Sequence, residues 1–99
     1  MRPTPELTKR PDEMYPVGIK LVSPDLEQGE TIQSCTVTIT PDEAGGLKTS
    51  GSVVIDQDTV EQVIYGGIAG SEYRVYFETI TSGGHVYEDM IFVKVRNLE

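Results

Sequence analysis

One histidine, one cysteine and sixteen acidic residues are the first groups to weigh as catalysts or metal ligands in this chain. His85 directly follows the Ser82-Gly83-Gly84 turn and reads as a solvated turn histidine. As a zinc ligand it would have only Glu88 or Asp89 nearby, without the cysteine or histidine company on which zinc sites are built. Cys35 lies in an alternating apolar run and reads as a small packed hydrophobe. A thiol nucleophile needs a base within reach, and His85 belongs to a distant turn. Asp42 with Glu43, and Asp56 with Asp58, could offer oxygens to calcium. Neither pair has the spaced acidic residues and glycine of a dedicated calcium loop, so both read as solvated turns. Gly66-Gly67-Ile68-Ala69-Gly70 has the glycine density of a phosphate-binding loop, but it lacks the Gly-Lys-Ser/Thr ending. The residues after Gly70 alternate like a strand, where a phosphate loop would open a helix. The expectation is a protein with no catalytic, metal or cofactor site.

The elements around these groups have a period of two. Tyr15, Val17, Ile19 and Leu21 alternate with Pro16, Gly18, Lys20 and Val22, a half-buried strand that Pro16 assigns to a sheet edge. Thr31–Thr40 sets Cys35, Val37 and Ile39 on one face and Thr36, Thr38 and Thr40 on the other, as a strand wet on one side does. A turn at Pro41–Gly46 is followed by a short strand near Leu47-Lys48-Thr49, then by an apolar run over Ser52–Asp56 and another strand over Thr59–Tyr65. The last two strands, Glu72–Thr81 and Val86–Val95, are joined by a tight glycine hairpin. About seven short strands at turn-bounded intervals predict an all-β antiparallel sandwich over residues 15–97. Residues 1–14 hold three prolines, mixed charge and few apolar side chains, and read as a flexible N-terminal arm. Leu98-Glu99 match a common cloning scar and carry no weight in the fold.

Within this frame Gly67, Gly70 and Tyr73 form the sharpest local signal. A tyrosine opening a late strand after a glycine turn can bury its ring and bond its hydroxyl back to the preceding loop, the arrangement called a tyrosine corner. On the last hairpin, Tyr76 falls opposite the Tyr73, Val75 and Phe77 face, and Met90 and Phe92 face away from Ile91 and Val93. Two explanations stand: a central strand covered on both sides, or a partner-binding patch of Tyr76, Met90 and Phe92.

Ninety-nine residues make one domain with a thin core. Eight basic against sixteen acidic residues give a net charge of −8, which repels phosphate backbones and anionic headgroups, so neither nucleic acid nor a membrane is expected as a partner. No apolar run is long enough to span a bilayer as a helix. The N-terminal residues lack the apolar segment of a secretion signal, so the expected location before use is the cytoplasm. A lone cysteine cannot form an intrachain disulfide.

Three segments together resemble a family of small tailed-bacteriophage and prophage virion structural proteins, loosely called fibre-like. These are Lys9-Arg10-Pro11-Asp12-Glu13, Thr31-Ile32-Gln33-Ser34-Cys35-Thr36-Val37, and Gly66–Val75 with Ile80-Thr81-Ser82-Gly83-Gly84. The chain departs from that pattern in lacking tryptophan, with Val37 and Val63 where one would stand. The resemblance implies an immunoglobulin-like sandwich in a phage particle, docked on other head or tail subunits and without catalysis. The free chain is then expected to be monomeric or weakly associating. The rival reading is a fibronectin type III-like module that engages a carbohydrate or a host surface protein. Sugar platforms favour exposed tryptophan, and this chain has none.

Overall fold

The computed structural model describes residues 6–21, 29–56 and 58–97. It is all-β, with seven strands among the described residues: β1 (Glu6–Lys9), β2 (Met14–Lys20), β3 (Ile32–Thr40), β4 (Leu47–Asp56), β5 (Thr59–Gly66), β6 (Glu72–Thr81) and β7 (Val86–Val95). They form a four-stranded sheet in the order β1-β7-β6-β3 and a three-stranded sheet in the order β2-β5-β4, packed as a sandwich.

Alternation explains which face each strand buries. Tyr73, Val75 and Phe77 of β6 and Ile91, Val93 and Val95 of β7 point into the core and are almost or fully inaccessible. From the facing sheet, Val17, Val60 and Ile64 meet them. Pro16 lies in β2, which is an edge strand as expected, so its missing N–H breaks no inner ladder.

The structure departs from the sequence reading at three points. The sheets are not wholly antiparallel: β1 runs parallel to β7, with Leu7 beside Val93 and Lys9 beside Val95. Residues 6–9 of the expected arm are therefore a sheet strand, and Arg96 N donates to Lys9 O at 2.9 Å beyond the last paired residues. Four residues are too few to display a period of two, and the surrounding prolines and charges hide them. Residues 1–5 of that arm, like Leu98-Glu99, lie outside the described residues.

The third departure concerns β4. The two segments expected at 47–49 and 52–56 are one strand carrying an irregularity between Ser50 and Val54, where its register against β5 shifts. The buried Gln62 side chain serves this bulge. Its amide donates to Ser50 O at 3.1 Å and Gly51 O at 3.3 Å, satisfying carbonyls that the broken ladder leaves over. The strand count agrees with expectation because the fusion in β4 offsets the addition of β1.

The link from β5 to β6 carries the chain from one sheet to the other and makes a tight packing demand. Gly67 has φ +104°, and a Cβ there would lie 2.6 Å from Val95 Cγ2. Gly70 has φ +91° but open space around it. Gly67→Ala combines backbone strain with overpacking and is expected to destabilise by about 2–4 kcal/mol. Gly70→Ala meets strain alone and should cost about 1 kcal/mol. Denaturant midpoints for the two variants check this difference.

Candidate interaction surface

Tyr73 opens β6 with its ring wholly buried. Its hydroxyl accepts from Ile68 N at 3.0 Å and donates to Glu43 Oε1 at 2.8 Å. The first bond ties the strand back to the β5–β6 loop, and the second ties it to the β3–β4 turn. Burial pushes the phenol above its ordinary pKa, and the Glu43 carboxylate adds to that shift, while the Ile68 N–H opposes it. Gly70 N donates to Val95 O at 2.8 Å, and Val95 N donates to Ser71 O at 3.0 Å. The loop thus holds on to the end of β7 as well.

Lys9 completes this cluster, and no motif in the sequence marks it out for that role. Its side chain is fully buried, and Nζ donates to Arg10 O at 2.6 Å and to Gly66 O at 2.7 Å. Burial lowers its pKa, opposed by the nearby Glu13 and Asp12 carboxylates. A lysine flanked by Arg10 and Pro11 reads as solvated arm, and only the parallel docking of β1 turns it inward.

Three of the four loop carboxylates weighed for calcium have structural partners. Asp42 is paired with Lys48 at 2.7 Å on the surface, and Asp58 lies 3.9 Å from Lys20. Glu43 holds Tyr73. Among the described residues no three histidine, cysteine, aspartate or glutamate side chains gather around a possible metal position. Cys35 is half-buried, and burial raises its thiol pKa. Thr79 bonding to the sulfur opposes this, and the charges of Asp89 and Glu78 reinforce it. A protonated thiol is a poor nucleophile.

His85 is exposed beside the glycine turn, as expected, but it has a partner the sequence did not show. Its Nδ1 lies 2.8 Å from Glu30 Oε2, and that carboxylate, with a side chain only 6% exposed, also accepts from Thr81 Oγ1. The imidazole faces the carboxylate, and only the backbone N of His85 reaches the Thr81 hydroxyl. The cluster clamps the β6–β7 hairpin to the segment before β3.

On the outer face of the four-stranded sheet, Tyr76 stands directly opposite Met90, with Phe92 one step along β7. Tyr76 is 38% exposed, while Met90 and Phe92 are half-buried. The Arg74 guanidinium sits 5.4 Å from the Phe92 ring centroid, a cation–π contact that covers part of that ring. β7 is central in its sheet because β1 lies beside it. Elsewhere this outer face carries threonine and charged residues, among them Thr36, Thr38, Glu78 and Lys94, and the apolar pair Ile80 and Val86 near the hairpin end.

Fold and site together describe a small β-sandwich whose polar groups secure loops and whose outward aromatics include Tyr76 on one sheet and Tyr65 on the other, a structural protein of the interaction type. The chain belongs to the family described as podophage GP4 fiber-tail adaptor protein gp77, whose model matches residues 9–94. It is a virion tail component, a non-enzymatic adaptor that docks fibers onto the tail. The phage kinship expected from the three motifs is thereby established, and head or tail is decided in favour of the tail. No curated protein matches the chain.

Tyr73→Phe leaves the Ile68 N–H and the Glu43 carboxylate without their partner and is expected to destabilise by about 1–2 kcal/mol. Tyr73→Ala should cost about 3–5 kcal/mol. A raised folded-state pKa means that the stability held below the unfolded phenol's pKa of about 10 is lost as pH climbs past it. Denaturant midpoints of the parent should fall above about pH 10, and less steeply in Tyr73→Phe. Lys9→Met strands two carbonyls and is expected to lower stability by about 1–3 kcal/mol in the same assay.

Proposed function

We propose that the adaptor grips a tail or fiber protein through the outer face of its β1-β7-β6-β3 sheet, with Tyr76, Met90 and Phe92 as the anchoring side chains. The observation that carries this reading is the juxtaposition of Tyr76 with Met90, flanked by Phe92 and with Val86 exposed further along the same face, among threonine and charged residues. Interface anchors are aromatic and methionine-rich in this way, within a polar rim. Arg74 stacked on Phe92 adds a second residue type favoured at such centres.

The body itself is an immunoglobulin-like domain in this reading, and Gly67, Gly70 and Tyr73 form its tyrosine corner. In support, Tyr73 lies near the start of a late strand and its hydroxyl returns to the backbone five residues upstream. The partners are other phage structural proteins; nucleic acid and membranes are not among them, given a net charge of −8. Self-repulsion keeps the free chain monomeric or weakly associating.

Tyr76→Ser and Phe92→Ser are surface changes that leave the core intact. Each is expected to weaken capture by assembled phage tails about tenfold or more, as loss of an interface anchor does, with an unchanged circular dichroism spectrum. Full binding by both folded variants removes this face from the adaptor's contacts.

A further inference from the structure

An adaptor must hold two bodies at once, a fiber and the tail, and the outer-face patch serves only one of them. Four strands end the two sheets: β1 and β3 in one, β2 and β4 in the other. An edge strand presents a row of N–H and C=O groups to whatever lies beside it, so natural edges are blunted by shortness, proline, charge or a bulge. Three of these edges carry such a device. β1 is four residues long and turns Lys9 inward. β2 contains Pro16 and Lys20. β4 contains Lys48 and the bulge between Ser50 and Val54.

β3 is different. Its nine residues, Ile32–Thr40, include neither charge nor proline. The single register shift lies at its beginning, between Ile32 and Ser34, and from Ser34 to Thr40 it runs in unbroken register with β6. Among the described residues β6 is its only ladder partner. Cys35, Val37 and Ile39 pack against the core yet stay only partly buried, and so do Val53 and Ile55 of β4, the neighbouring edge of the facing sheet. Both edges border the same flank of the sandwich, and that flank is lined with half-covered apolar side chains.

We infer that β3 is a docking edge for an extended strand of a second tail or fiber protein. The added strand continues the four-stranded sheet by main-chain hydrogen bonds and sets alternate apolar side chains against Cys35, Val37 and Ile39. Unpaired ladder groups fit an extended segment, which decides the form of the occupant. Charge decides its character. The chain carries −8, and Asp56 closes β4 on this flank, so a strand with lysine or arginine at its ends is favoured and a second acidic copy is repelled. The inference rests on the adaptor role and adds the second contact which that role requires.

Hydrogen–deuterium exchange on the full chain tests it, with fibers and fiberless tails purified from the phage as the two probes. Alternate amides of residues 34–40 face away from β6 and should exchange rapidly in the free protein. One of the two probes should slow them about tenfold or more. Protection confined to the surroundings of Tyr76 and Met90, with β3 unchanged, overturns strand addition and leaves the adaptor role standing. Protection of β3 that grows with the concentration of the chain alone points to a second copy and also overturns it. Val37→Lys sets a charge in the middle of the flank and should reduce capture by that same probe about tenfold or more. Undiminished capture by a folded Val37→Lys protein overturns the proposal, and if that variant does not fold, exchange on the unaltered chain decides alone.

Discussion

The turn at Gly66–Ser71 is one of four links that carry the chain between the two sheets, because β5 belongs to one sheet and β6 to the other, and among the described residues it is the one most heavily bonded to its surroundings. Three separate strands hold it. Lys9 from β1 bonds the Gly66 carbonyl, Tyr73 of β6 bonds the Ile68 amide, and the end of β7 exchanges hydrogen bonds with Gly70 and Ser71 through Val95. Lys9, Tyr73 and Val95 are buried, where an unmet donor or acceptor is costly. The close approach of Gly67 to Val95 follows from the same convergence. Closing this crossover helps to hold the facing sheets, and with them the core between them, in position.

Acidity has two roles in such a molecule. Part of it is surface charge. Another part is structural: Glu43 holds the buried tyrosine, and Glu30 clamps Thr81 and His85 at the opposite hairpin. Carboxylates that resemble a catalytic or calcium-binding inventory in one dimension are occupied in three. The protein's work is mechanical, and the sheet face and sheet edge proposed as its contacts are carried on this scaffold.

Register links that interior to the surface. A period of two means that burying Tyr73, Val75 and Phe77 forces Arg74 and Tyr76 outward, and burying Ile91 and Val93 forces Met90 and Phe92 outward. The outer patch is therefore the mirror image of the core, built by the same two strands. β1 sharpens it, because its parallel pairing makes β7 a central strand and lets Glu6 and Lys94 meet at 3.1 Å beside Phe92.

Alternation and turn chemistry in the residues were enough to determine an all-β chain, the long β6–β7 hairpin, the edge position of β2 and the inward face of β6. These are local properties, written in side-chain period and in glycine and proline placement. The phage kinship was also legible, in Lys9–Glu13 and the Gly66–Val75 segment. What only the tertiary structure decided were pairings between segments far apart in the chain. β1 is a strand because β7 lies beside it, and Lys9 is buried because Gly66, fifty-seven residues away, offers a carbonyl. β4 is continuous because the Gln62 amide caps its bulge from β5. Glu43 and Glu30 gain their roles from Tyr73 and Thr81, thirty and fifty-one residues distant. A polar side chain in sequence carries no mark of whether it meets water or a buried partner, since that depends on which distant backbone the fold brings to it.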